Sequence, residues 1–193
     1  MVHSIVPLAV LEAVKNLDTP VEDGLAEFAD ELLVKRLGLS PTVQMQLTEF
    51  EQLVRKDARV EPAHVEALLR LVGRRPDADL VFADAGRRAA RKAVKRTSGV
   101  VRVFRRVAAR RAARAVLGAE LAWEQRVPVA RVTDPIAIQA TPDGAACGFY
   151  GAALVELLRL LVGYEGAMVH VDCRARGGTG CEWRASAPDP RHQ

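Results

Sequence analysis

An α+β fold, helical in its N-terminal part and then an antiparallel sheet with packed helices, is what this 193-residue chain predicts. Three observations carry that expectation. Apolar residues recur at helical spacing through the first half, in segments that open on proline-containing start signals. Past Gly118 the pattern changes towards alternation and gathers Pro128, Pro135 and Pro142. Near the end, a leucine-rich helical segment is followed by two short β-type runs around a glycine-rich turn. The helices come first and the strands later, so a parallel α/β sheet is disfavoured. No internal repeat is visible.

Taken in order, Thr19-Pro20 with Glu22 reads as a cap, a first-turn proline and a capping acid, and Leu25, Phe28, Leu32 and Leu33 continue to a stop at Gly38. Ser40-Pro41 opens a second helix with Val43, Leu47, Phe50 and Val54 on one face. Glu61-Pro62 opens a third, with Val65, Leu68, Leu69 and Val72 inside and Gly73 at its end. Asp77 or Asp79 starts a longer helix that runs into a basic stretch and breaks near Thr97-Ser98-Gly99. Residues 120–128 and 129–140 read as a hairpin or paired strands. Helix returns from Phe149 to Val162, and residues 167–173 and 181–185 read as the two closing strands. Residues 1–98 thus form a helical N-terminal region, residues 99–186 a second domain, and residues 187–193 a disordered tail broken by Pro188 and Pro190.

Composition narrows the class. Hydrophobic residues make up 49% of the chain, enough for a sizeable core. No run reaches eighteen uncharged apolar residues, because Glu156 and Arg159 interrupt the longest one, so no membrane span is expected. The first residues lack the basic region and cleavage pattern of a signal peptide, which points to the cytoplasm. The net charge of +4 hides an asymmetry: residues 1–40 hold seven acids against three bases, whereas twelve bases and no acid lie between Asp84 and Glu120. A field of that kind attracts nucleic acid, anionic lipid or an acidic partner, although a solvated helix face gives the same pattern. Phe104 is the one aromatic within it and no helix-turn-helix signature accompanies it, so nucleic acid is a weak expectation.

All three cysteines fall in one late constellation, Cys147, His170, Cys173 and Cys181, spaced C-x22-H-x2-C-x7-C. Three thiolates and an imidazole are what a tetrahedral structural zinc site takes, and an odd number of cysteines suits reduced ligands better than a disulfide framework. Gly177, Gly178 and Gly180 permit the tight turn that joins Cys173 to Cys181. The competing reading is three buried cysteines and an unrelated histidine. In a regular strand His170 points away from the face that Cys173 shares with Val169 and Val171, so a turn beginning at Asp172 is required, and Asp172 is the substitute fourth ligand.

These residues carry a resemblance. Cys147-Gly148-Phe149-Tyr150-Gly151, a leucine-rich helix, Val169-His170-Val171-Asp172-Cys173 and Gly177-Gly178-Thr179-Gly180-Cys181-Glu182-Trp183 resemble the 4-vinyl reductase domain family over roughly residues 100–186. His170 stands where that family commonly has glutamate. The resemblance implies a small-molecule-binding α+β domain, related in fold to TRAPP vesicle-tethering subunits, with a structural zinc on Cys147, His170, Cys173 and Cys181. It also implies a homodimer formed through the region before the zinc domain, in which the acidic N-terminal helices could neutralise the basic stretch.

The functional expectation is therefore a non-enzymatic sensor or carrier of a small apolar or aromatic molecule, with Phe104, Trp123, Phe149 and Tyr150 as candidate ligand contacts and zinc as a brace. A metal held by four protein ligands leaves no open position for chemistry. The glycines between Cys173 and Cys181 serve a turn rather than a dinucleotide loop, and no Ser/His/Asp set is present. The alternatives are a protein-interaction module like the tethering subunits, or a bacteriochlorophyll-type 4-vinyl reductase accessory factor. Trp183 is expected to pack over the metal site.

Overall fold

The computed structural model describes residues 1–19, 38, 40–97 and 104–186. The helix expected from Thr19 to Gly38, the break after Thr97 and the C-terminal tail lie outside these residues or at their margins. The α+β class is as expected, with a C-terminal hairpin that carries two of the cysteines.

In chain order the elements are β1 (Val2–His3), α1 (Ile5–Asp18), α2 (Pro41–Arg55), β2 (Arg59–Val60), α3 (Pro62–Gly73), α4 (Ala78–Arg96), α5 (Arg105–Ala112), β3 (Glu120–Glu124), β4 (Val127–Val132), α6 (Ile136–Ala140), α7 (Cys147–Val162), β5 (Met168–Asp172) and β6 (Cys181–Ala185). The start signals at Ser40, Glu61 and Asp77 stand where the sequence placed them, and the Ser40 hydroxyl accepts from the Val43 amide as an N-cap. A π-helical turn, Ala113–Leu117, extends α5 to Gly118, whose φ of 64° closes it.

One helix was not foreseen, and one stretch differs from expectation. α1 is a helix buried almost all round, and such a segment shows no polar face from which its period could be read. Residues 136–140, expected as strand, form the short helix α6 after Pro135, because β4 stops at Val132. The β3–β4 hairpin is present, but its two-residue turn is Gln125-Arg126, with φ of 48° and 73°, and Pro128 lies inside β4 opposite Trp123.

The main sheet is antiparallel in the order β3-β4-β6-β5, and β1 pairs separately with β2. Its inner face carries Leu121, Val132, Cys181, Trp183, Ala185 and Met168, all buried. Its outer face carries an ion-pair ladder: Arg131 meets Glu124 and Glu182 at 2.7 Å each, and Arg184 meets the same two acids at 3.0 and 3.1 Å. α7 lies against α4 along most of its length, and Gly86 of α4 makes this approach possible. A Cβ there would stand 2.3 Å from the Phe149 carbonyl oxygen. One buried cluster runs from Ile5 to Ala185, so residues on both sides of position 98 share a single core. Among the described residues no helix is long and apolar enough to cross a membrane.

Candidate metal centre and the adjoining cleft

α7 delivers Cys147 from its first position, where Gly144, at a φ of 84°, turns the chain beneath the site. A Cβ on Gly144 would touch Cys173 Sγ at 3.5 Å and Cys147 Sγ at 3.8 Å. β6 delivers Cys181 from its first residue, and Cys173 stands between β5 and the short 3-10 turn Arg174–Arg176. His170 belongs to β5. The apparent conflict over its orientation is resolved by a β-bulge: His170 pairs with Trp183 and Asp172 with Glu182, so Val171 is one residue in excess. The slip lets His170 and Cys173 converge although three positions separate them.

One ligand atom from each of Cys147, His170, Cys173 and Cys181 lies within 4.8 Å of the others. Cys173 Sγ and Cys181 Sγ are 4.0 Å apart, and the three thiols are free. A tetrahedral ion about 2.3 Å from each sulfur sets the sulfurs about 3.8 Å apart, so the spacing fits. His170 Nε2 supplies a second fit: it is buried without a hydrogen-bond partner, a costly condition that coordination would relieve. Asp172 stays outside the cluster. Its carboxylate accepts from the Cys173 amide at 2.9 Å, and Gly178 leaves it room, since a Cβ there would lie 2.4 Å from Asp172 Oδ1.

The electrostatics suit a cation. Burial raises the Cys147 thiol pKa, and the neighbouring Cys181 and Cys173 raise it further. Burial likewise raises Cys181. At Cys173 burial also pushes upward, but hydrogen bonds from the Ala175 backbone, Cys181 and Arg176 outweigh it and leave this thiol below its ordinary value. Burial, then Arg176, lowers the His170 pKa, which keeps the imidazole neutral and able to donate a lone pair. The arrangement can hold a metal ion, and an ion bound there would join the start of α7 to the β5–β6 hairpin.

Trp183 packs over the site as expected. Its indole stacks on His170 with ring centres 4.4 Å apart and planes 7° from parallel, and it also meets the Tyr150 ring at 5.5 Å. Gly151 lies 3.5 Å, at its Cβ position, from Trp183 Nε1. Tyr150 is buried, and burial foremost, then Cys147, raises its hydroxyl pKa.

Phe149 and Tyr150 line a cleft of about 430 Å³, together with Val6, Val116, Leu117 and Ile136. Its rim is polar and includes His3, Arg59, Glu120 and Asp134. Of the four aromatic candidates, these two come together here. Phe104 is 63% exposed on the surface, and Trp123 lies under the guanidinium groups of Arg106 and Arg110 at 5.4 and 5.3 Å. The walls supplied by β1, α1 and Arg59 could not be read from the sequence, because they depend on the pairing of Val2 with Val60 across the chain.

Among the described residues, four of the twelve bases of the basic stretch meet a carboxylate within the chain. Arg88 pairs with Asp84, Arg91 with Glu156, Lys92 with Glu12 and Arg96 with Asp57, each at 2.7 Å. Comparison of the chain with protein-family models, with curated proteins and with solved structures found no match.

Proposed function

We propose that the protein binds a small hydrophobic molecule, as a sensor or carrier, in the cleft beside Phe149 and Tyr150, and that zinc on Cys147, His170, Cys173 and Cys181 braces that cleft. The observation that carries the reading is the shared first turn of α7: Cys147 sits in the metal cluster while Phe149 and Tyr150, two and three residues on, form the cleft wall. A volume of about 430 Å³ suits a small ligand, since pockets of about 300–1,000 Å³ are usual and a void of about 150 Å³ already takes benzene. Zinc suits the donor set because three thiolates and one imidazole form a soft tetrahedral shell. Such a shell is closed, so the ion's work is structural: it fixes the first turn of α7 against the closing hairpin.

The stack His170–Trp183–Tyr150 runs from the metal cluster to the cleft wall. Occupancy of the cleft would therefore be felt at the Trp183 indole. The resemblance to 4-vinyl reductase domains favours the same class of ligand and a homodimer. Native mass spectrometry of gently purified protein tests the whole reading at once. One zinc per chain and an added small-molecule mass are expected. Zinc without any small molecule, together with indole emission that no aromatic titrant changes, would exclude the sensor or carrier role.

A further inference from the structure

Of the twelve bases between Asp84 and Glu120, the eleven among the described residues separate in the structure into two groups. Those of α4 are largely held by carboxylates, as described above. On α5 and its π-helical extension, Arg105, Arg106, Arg110, Arg111 and Arg114 are exposed, and among the described residues none meets a carboxylate. Arg106 and Arg110 instead lie over the Trp123 ring, and Arg110 Nε also donates to the Leu121 carbonyl of the edge strand β3 at 3.2 Å. These contacts hold the two guanidinium groups in place without cancelling their charge. The buried side of α5 is made of Ala108, Ala109 and Ala112, so the helix presents its arginines outward by construction. Beside them stand two apolar side chains three positions apart, Phe104 just before Arg105 at 63% exposure and Val107 after Arg106 at 43%.

We propose that this face docks on an anionic lipid bilayer. Five uncompensated arginines select a partner of dense negative charge. The apolar pair decides which one. A nucleic-acid backbone offers Phe104 and Val107 nothing to bury in, whereas the boundary between headgroups and acyl chains takes apolar side chains while arginines engage the lipid phosphates. The attachment is peripheral and falls with salt, because the charges act within about one Debye length of the surface.

Co-sedimentation of the full chain with vesicles tests this. Vesicles of phosphatidylglycerol and phosphatidylcholine in equal parts are expected to bind, and phosphatidylcholine alone is not. The double substitution R111A/R114A is expected to weaken binding roughly thirtyfold, at about 1 kcal/mol for each basic residue near an anionic surface. F104S/V107S is expected to weaken it several-fold at constant salt, with an unchanged thermal midpoint in both variants because all four side chains are exposed. No vesicle binding at low salt, or binding unaffected by R111A/R114A, would overturn the proposal. So would binding that F104S/V107S leaves intact, or capture of a short DNA duplex in place of vesicles, since each points to a polyanion that does not accept apolar side chains.

Discussion

Three thiols and an imidazole gathered within 4.8 Å, in surroundings that raise the pKa of two of the thiols, form a cluster that is poorly satisfied by itself and well satisfied by a cation. Each ligand therefore matters singly. Cys181→Ser is expected to take the zinc content of purified protein well below one per chain. A ligand that binds only the folded state at a thousandfold excess over its Kd contributes about 4 kcal/mol. Its loss in a domain of this size lowers the melting midpoint by about 8–16 °C. Calorimetry of the variant beside chelator-treated parent checks both numbers. A second residue-scale device is His3. Its Nδ1 accepts from the Ile5 amide and its Nε2 faces Asp57 at 3.1 Å, so the neutral ring with its proton on Nε2 satisfies both contacts. Burial lowers its pKa below the ordinary 6.5, despite the opposing pull of Asp57, and Arg96 and Arg59 assist. The unfolded chain then binds the proton first. Stability is complete above about pH 6.5 and declines as pH falls through the folded pKa below it. Thermal melts from pH 7.5 down to 5 are expected to show a loss that His3→Gln reduces.

At the scale of elements, α4 approaches α7 tightly at Gly86. Gly86→Ala places a methyl group where the Phe149 carbonyl oxygen already stands, with backbone on both sides and nowhere to yield. Overpacking of this kind costs about 1–3 kcal/mol, and urea unfolding is expected to show a midpoint lowered accordingly with an unchanged slope. The β3–β4 turn offers the opposite change. Gln125 and Arg126 both take positive φ, a conformation that Asn-Gly adopts with less strain, so the double substitution is expected to stabilise by about 1 kcal/mol in the same assay. Elements that announce themselves by local chemistry were legible: Ser40-Pro41, Glu61-Pro62 and Asp77 open helices because capping and first-turn proline are local effects. α1 was not, because a helix buried on every side loses the polar–apolar contrast that reveals a period. The bulge at Val171 was not either, since one excess residue in β5 is defined only against β6. That bulge is nevertheless what brings His170 rather than Asp172 to the cysteines.

At the scale of the molecule, one core joins the N-terminal helices to the sheet, and a partly buried ion-pair network clasps it from outside. Arg75 meets Asp18 at the end of α1 at 2.7 Å and Asp77 at 2.8 Å, and the Asp18 carboxylate also accepts from the Gly38 amide. Burial alone would raise the Asp18 pKa, but Arg75 and Gly38 outweigh it and hold it below the ordinary carboxylate range. Arg75→Ala removes the guanidinium that meets both Asp18 and Asp77 and is expected to cost about 1.5–3 kcal/mol in urea unfolding. The convergence of Cys147, His170, Cys173 and Cys181 was legible because all three cysteines fall in one late constellation whose glycine-rich turn can fold two of them together. The cleft was only half legible, since Phe149 and Tyr150 belong to the motif while Val6, Arg59 and Val116 reach it through long-range packing. The account rests on zinc tying α7 to the β5–β6 hairpin. X-ray absorption at the zinc edge on purified protein tests this most directly. One zinc per chain with three sulfurs at about 2.3 Å and one nitrogen at about 2.0–2.1 Å is the expected result. A shell of oxygen and nitrogen alone, or markedly less than one zinc per chain, would contradict it.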